Sequence, residues 1–311
     1  MKAQLPIALT CGDPAGVGPE IIEKWLRENP SLASRVYPIG PEPWLQSLGI
    51  EGEVCPSGKQ IFAPGAPTPE GTRVSWEALE IAARGCLEGR FRAVVTGPVN
   101  KRQLTSIGYP FPGQTEFFAK AWGGVPSMAF SCERLKVVLA TWHEPLASIP
   151  RRLAEEPDLL DRAVIHAVEW GNRIGLSEPR IAVCGLNPHA GEEGLLGSEE
   201  SELFNPRLAV LRELYPGVSD CLPADTVFHR LLGGEFDFAV ALYHDQGLIP
   251  VKTLGFHSAV NLSLGLRYFR ASPDHGTAYC IAGKGLARSG SFAAALNLAD
   301  RYTQLPSQVE S

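Results

Sequence analysis

Short apolar runs punctuate the chain, and stretches with helical spacing of apolar positions separate many of them. A run of four to eight apolar residues bounded by turn formers reads as a buried strand. On that basis strands are expected at Pro6–Thr10, Arg35–Ile39, Ala93–Thr96, Lys136–Trp142, Arg180–Gly185, Phe236–Tyr243 and Val260–Leu264. Helices are expected over Ile21–Leu26, Ser75–Gly89, from about Thr115, and over Leu159–Arg173, Pro206–Leu214 and Ser291–Tyr302. Residues 41–73 are rich in Pro and Gly and read as connection with small irregular elements. Strands alternating with helices place the chain in the α/β class. No repeat, low-complexity tract or long charge run interrupts the pattern.

Composition narrows this picture only a little. At 311 residues the chain exceeds a typical single domain, so two lobes are expected. A formal net charge of −6 argues against a general nucleic-acid surface but leaves room for local basic pockets. The seven cysteines show no C-x-x-C spacing and read as reduced thiols of a cytoplasmic protein. The first residues have no signal-peptide layout, and no stretch approaches the length of a membrane span, so no membrane partner is expected.

The candidate chemistry lies at strand ends. His143, His189 and His244 each sit just beyond an apolar run: Val137–Leu139, Ile181–Cys184 and Phe238–Leu242. In an α/β protein the carboxyl ends of parallel strands converge on one edge, where ligands bind. Three imidazoles there form a candidate divalent-metal site with open positions suited to catalysis, and Asp245 could add an oxygen ligand. A single histidine at a strand end would be an ordinary hydrogen-bonded residue; three in equivalent positions shift the reading to a metal. His166 and His229 read as packing or surface residues. His257 is uninformative, and His275 lies in a polar turn suited to touching a ligand.

Two readings stay open for the turn Gly12–Gly18, which follows a strand and opens a helix. It could contact an anion at the helix N-terminus, or it could need glycine only for sterics. It is neither a Walker A loop nor G-x-G-x-x-G. Lys252, Asn261, Arg267 and Arg270 cluster late in the chain. Lys252 and Asn261 are embedded in apolar stretches, where a polar group needs a partner, and a phosphate or carboxylate would supply one. Asn100-Lys101 and Gln114-Thr115-Glu116 are further polar ends, with turn or capping roles as the plain alternative.

Several longer motifs carry a resemblance. They are Gly12-Asp13-Pro14-Ala15-Gly16-Val17-Gly18-Pro19-Glu20, Thr96-Gly97-Pro98-Val99-Asn100-Lys101, Leu186-Asn187-Pro188-His189-Ala190-Gly191-Glu192, Tyr243-His244-Asp245-Gln246-Gly247 and Ser272-Pro273-Asp274-His275-Gly276-Thr277-Ala278. In this order the chain resembles the 4-hydroxythreonine-4-phosphate dehydrogenase family of the vitamin B6 pathway, from Thr10 to beyond Gly285. The resemblance implies a two-lobed α/β/α fold similar to isocitrate and isopropylmalate dehydrogenases, with the active site in the inter-lobe cleft at a dimer interface. Residues 1–124 with 250–311 would then form a terminal, NAD-binding lobe, and 125–249 a middle lobe with the metal ligands and the dimer interface.

The same resemblance implies that His143, His189 and His244 bind the metal across a homodimer, two from one subunit and one from its partner. Zinc, magnesium, manganese and cobalt all remain open. It implies substrate contacts at Gln114, Thr115, Lys252, Asn261 and Arg270. It places NAD, or NADP, on the loop holding Asp274, His275, Gly276, Thr277 and Gly283. Lys252 is the expected handler of a proton or of the phosphate, and Asp225 and Asp245 the expected partners that orient imidazoles. The family usually reads Gly-His-Thr-Glu where this chain has Gly113-Gln114-Thr115-Glu116. Gln can donate to a phosphate but cannot carry the charge of a protonated imidazole. The implied reaction oxidises 4-phosphooxy-L-threonine with loss of CO₂. Alternatives are a related cis-dihydrodiol carboxylate dehydrogenase, a metal-dependent phosphate-ester hydrolase and a non-catalytic metabolite-binding protein.

Overall fold

The computed structural model describes residues 4–304. The chain divides into two compact units, passing from the first to the second at 126/127 and returning at 265/266.

In the first unit, β1 (Ile7–Thr10) leads through a glycine-rich turn into α1 (Gly18–Glu28). Then follow β2 (Val36–Gly40), α2 (Glu42–Leu48), β3 (Glu53–Val54), α3 (Pro69–Leu87), β4 (Ala93–Thr96), α4 (Lys101–Ser106) and α5 (Gln114–Trp122). The second unit holds β5 (Gly124–Ser131), β6 (Lys136–Leu139), α6 (Ile149–Glu155), α7 (Asp158–Arg173), β7 (Ile181–Cys184) and α8 (Asn205–Leu214). It continues with β8 (Val218–Leu222), α9 (Ala224–Leu232), β9 (Phe238–Ala241), α10 (His244–Gly255) and β10 (Val260–Leu266). The chain returns to the first unit as β11 (Phe269–Pro273) and α11 (Gly290–Gln304).

Strands of the first unit lie in the order β3-β2-β1-β4-β11, every pair parallel. β1 and β4 are buried at every residue, as parallel strands with both faces covered must be. α3 packs on β1 and β2, and α11 on β11 and β4. Tyr109, Phe111, Phe117, Phe118 and Trp122 interlock at ring-centroid distances of 4.4–6.1 Å, which anchors α5.

The second unit runs β10-β5-β6-β9-β7-β8. β5 and β6 pair antiparallel, while β6, β9, β7 and β8 are parallel. β7 and β9 are wholly buried, and α7 packs on β6, β9 and β7.

The α/β class expected from the sequence is the class observed, with several elements added. α3 begins at Pro69, not Ser75, because Thr68 caps it by accepting from Gly71 N–H (3.1 Å). β5, β8, β11, α9 and α10 were not anticipated. α10 persists through Pro250 and packs on β6 and β9. The return expected at 249 falls inside that helix, and the contacts hold the chain in the second unit until 265. All seven cysteines are free thiols, six of them buried. Among the described residues no helix is long and apolar enough to cross a membrane.

Candidate active site

In the second unit, β6, β9 and β7 are neighbours and run parallel, so their carboxyl ends open on one edge. His143 follows β6, His244 is the first residue of α10 after β9, and His189 lies in the turn Pro188–Gly194 after β7. Two polar side chains tie these strand ends together. Thr141 donates its hydroxyl to Leu242 O at 2.6 Å, joining β6 to β9. Gln246 accepts from Leu242 N–H and donates to Gly185 O, both at 2.7 Å, joining β9 to β7. Neither role was read from the sequence. The available signal was a polar residue just after a buried strand, where strand-end backbone groups need partners.

His143 and His244 approach each other, with ring centroids 5.8 Å apart. His244 Nδ1 lies 2.7 Å from Asp245 Oδ1, and His189 Nδ1 is engaged by Glu192. A carboxylate on Nδ1 fixes the ring and leaves Nε2 as the lone-pair donor. That is the donor chemistry a divalent metal requires, so these residues fit a metal in kind. Asp245 is thus within hydrogen-bond distance of an imidazole. Asp225 lies exposed in the first turn of α9, and the carboxylate on His189 is Glu192, a motif residue to which sequence reasoning gave no role. The side chain of His189 is 62% exposed. Among the described residues, no three His, Cys, Asp or Glu side chains of the one chain converge on a metal position.

His189 stands on unusual backbone. Residues 189–193 all have positive φ, from 44° to 85°, and only Gly191 is glycine. His143 is also left-handed, at φ 55°. This conformation costs non-glycine residues about 1–2 kcal/mol each, so surrounding contacts must hold it. Glu200, buried, accepts from Asn187 N–H (2.7 Å) and Asn187 Nδ2 (3.0 Å), while Glu199 accepts from the same amide (2.8 Å). A groove of about 840 Å³ beside the turn is lined by His189, Glu192, Glu200, Ser201 and Asn205. Lys252 on α10 and Asn261 on β10 are half-buried in the same unit.

The first unit gathers the other expected anion contacts. Arg270 on β11 is buried, and its Nη2 donates to Thr96 Oγ1 (2.8 Å) and Gln114 Oε1 (3.0 Å). Burial lowers the guanidinium pKa to about 10, which still leaves it charged at neutral pH. Gln114 opens α5 and donates to Gly97 O at 3.5 Å, and Thr115 beside it is buried. Gln114, Thr115 and Arg270 therefore share the first unit, and Lys252 and Asn261 the second.

The turn Gly12–Gly18 turns several of its amides onto protein and packs two of its glycines tightly. Asp13 N–H donates to Pro98 O, Ala15 N–H to Asp13 Oδ1 and Gly16 N–H to Asp13 O, each at 2.9 Å; Val17 N–H donates to Thr277 O at 3.0 Å. These amides are already used. A Cβ on Gly12 would lie 2.4 Å from Pro98 O, and one on Gly18 2.0 Å from Cys11 O.

The loop expected to carry NAD follows β11. Asp274 N–H donates to Ser291 Oγ (3.1 Å), and His275 Nδ1 lies 3.1 Å from Gly276 O. Thr277 is buried, Ala278 is left-handed at φ 45°, and Gly276 and Gly283 are exposed. Tyr279 Oη donates to Asp13 Oδ2 at 2.6 Å. Burial and then that carboxylate push the phenol well above its ordinary pKa.

The profile of the family described as "Pyridoxal phosphate biosynthetic protein PdxA" matches residues 39–299. A 4-hydroxythreonine-4-phosphate dehydrogenase from Xanthobacter autotrophicus is 40% identical over 331 aligned positions, covering 97% of this chain and 94% of that one. The crystal structure of a 4-hydroxythreonine-4-phosphate dehydrogenase from Klebsiella pneumoniae matches with a TM-score of 0.84 at 33% identity, covering 97% and 100% of the two chains. A terephthalate 1,2-cis-dihydrodiol dehydrogenase from Burkholderia xenovorans matches with a TM-score of 0.71 at 27% identity, covering 97% and 99%.

Proposed function

The chain belongs to the PdxA family of pyridoxal phosphate biosynthetic proteins, and on that premise we propose that it is a metal- and NAD-dependent 4-hydroxythreonine-4-phosphate dehydrogenase. Its substrate is 4-phosphooxy-L-threonine. The C3 hydroxyl is oxidised to a ketone, giving 2-amino-3-oxo-4-phosphooxybutanoate. This β-keto acid loses CO₂ to leave 3-amino-2-oxopropyl phosphate. The reading is carried by 40% identity across nearly the whole chain together with the histidine pair at adjacent strand ends.

Each protein group has a defined task in this reading. Arg270, held by Thr96 and Gln114, offers a fixed positive charge to the phosphate. Gln114 and Thr115 add neutral hydrogen-bonding groups at the start of α5. His143, His189 and His244 hold a divalent metal, with the set completed across a homodimer. Asp245 and Glu192 keep two of the imidazoles in the tautomer that presents Nε2. Lys252 returns a proton to the carbon that loses CO₂. A divalent metal held there would contribute Lewis acidity toward the alcohol and ketone oxygens, and NAD would be the hydride acceptor.

A second reading, oxidation of a cis-dihydrodiol carboxylate, draws on the Burkholderia xenovorans structure, at lower identity. The test is one assay. Purified protein is given Zn²⁺, Mg²⁺ or Co²⁺, NAD or NADP, and a panel of phosphorylated and non-phosphorylated hydroxy acids and dihydrodiols. NADH formed with 4-phosphooxy-L-threonine and absent with dihydrodiols supports the first reading. The reverse pattern supports the second, and phosphate release without NAD supports a hydrolase.

A further inference from the structure

The loop 274–289 contains turns and irregular backbone but no helix or strand. Its peptide groups must therefore find partners outside regular structure. Many of them find α1 and the turn before it. Val17 N–H donates to Thr277 O at 3.0 Å, and a Cβ on Gly16 would lie 2.9 Å from that same oxygen. Glu20 reaches two loop amides at once: Oε2 accepts from Gly283 N–H (2.8 Å) and Oε1 from Ala287 N–H (3.3 Å). One helical turn later, Lys24 Nζ donates to Ala287 O at 3.4 Å. A further turn on, Glu28 Oε2 accepts from Ser289 Oγ at 3.3 Å.

Glu20, Lys24 and Glu28 are spaced i, i+4, i+8 and so share one face of α1. Both backbone polar groups of Ala287 are held, its N–H by Glu20 and its C=O by Lys24. Glu20 also lies in the first turn of α1, where the helix dipole favours a carboxylate. Held this way, the segment buries Ala287 and leaves Lys284, Leu286 and Arg288 exposed around it. Two cations flanking an apolar side chain suit a ligand with a diphosphate and a flat heterocycle.

We propose that Glu20 and Lys24 are positioning residues that hold the 277–289 backbone in the shape that binds the dinucleotide. The inference rests on the NAD-dependent reading of the preceding subsection. The glycine-rich turn therefore serves the nucleotide at second hand: it brings α1 and its polar strip against the loop and spends its own amides on protein.

The test uses the full-length chain, with NAD binding followed by calorimetric titration and hydrogen exchange followed in peptides spanning 279–289. Glu20→Ala should weaken NAD binding about tenfold and speed exchange in those peptides, since charge-assisted hydrogen bonds are lost. Glu20→Gln should fall between, because its amide oxygen still accepts. Lys24→Met should weaken binding about threefold, and it carries the test if Glu20→Ala fails to fold. NAD affinity within twofold of the parent in every folded variant overturns the proposal, as does unchanged exchange. If the parent chain binds neither NAD nor NADP, the dehydrogenase reading has failed and this proposal fails with it. Normal binding by the parent with normal binding by the variants sinks the clamp alone.

Discussion

Arg270 lies buried on β11 with its guanidinium fixed by Thr96 and Gln114, whereas His189 stands mostly exposed on a run of left-handed backbone. The arginine cluster takes its donors and acceptors from β4, β11 and α5 of one unit. It presents a set charge that needs little rearrangement to meet an anion. The histidine edge spends its interactions differently. Thr141, Gln246 and Glu200 fix strand ends and backbone, and carboxylates fix two of the rings. No three ligating side chains converge among the described residues of a single chain. A buried, hydrogen-bonded arginine and a more exposed histidine edge should respond differently to perturbation.

The largest expected effect tests the histidine edge. His143→Ala, or removal of divalent metal by a chelator, should lower turnover about 10³-fold or more, because Lewis-acid stabilisation is worth several kcal/mol. Activity should return on adding metal to the stripped parent and not to the variant. Turnover that survives exhaustive chelation would remove the metal from the reading and leave the three histidines as structural residues.

Arg270→Met tests the buried arginine. It keeps much of the side-chain volume and removes the charge. With a phosphorylated substrate, kcat/KM should fall about 10²-fold, the range expected when one partner of a buried charge pair is lost. The loss should appear mainly in KM and should be small for a non-phosphorylated analogue. Equal losses for both substrates would mean that Arg270 supports the fold and not the phosphate.

The two regions also differ in how much of each was legible in the sequence. The histidine edge was legible because each histidine follows a buried apolar run, Val137–Leu139 of β6, β7 or β9, and such runs are hard to misread. β11 was missed because Arg270 interrupts its apolar pattern, and a buried cation looks like a loop residue. β8 is a short edge strand, Val-Ser-Asp-Cys-Leu, half polar throughout. β5 opens with Gly124 and contains Pro126, both poor strand formers. α10 carries Gly247 and Pro250, which weaken its helical signal; packing on β6 and β9 overrides local preference. Thr141 and Gln246 were missed because their roles depend on which strands are neighbours, and strand order is not written in local pattern; Glu192 was missed because it reaches His189 across a left-handed turn that the residue pattern does not announce.

A smaller effect separates ring orientation from ligation. Asp245→Asn should leave His244 in place but remove the carboxylate from its Nδ1, lowering metal affinity about 10- to 100-fold. Glu192→Gln should act similarly through His189. Competition with a metal indicator measures both. If the two regions act independently, neither change should alter the affinity for inorganic phosphate, the group proposed to meet Arg270. A shift there would show that the two regions are coupled.

The smallest effect concerns how each unit treats a buried ionisable group. Burial lowers the Arg270 pKa only to about 10, so the first unit keeps that charge at every moderate pH. His166 on α7, 2.8 Å from Ser127 Oγ, is pushed down from 6.5 to about 4, by burial first and the Arg162 charge second. The unfolded chain therefore binds a proton between pH 6.5 and about 4 that the folded chain refuses. Stability from the neutral imidazole is fully present above 6.5 and is lost as pH falls toward 4. Allowing for partial solvent exposure, the loss should be roughly 2 kcal/mol. Urea unfolding across that window should show the decline in the parent. His166→Gln, which can still bond Ser127 but cannot titrate, should flatten it. An equal decline in both chains would assign the acid sensitivity to other groups and remove this difference between the units.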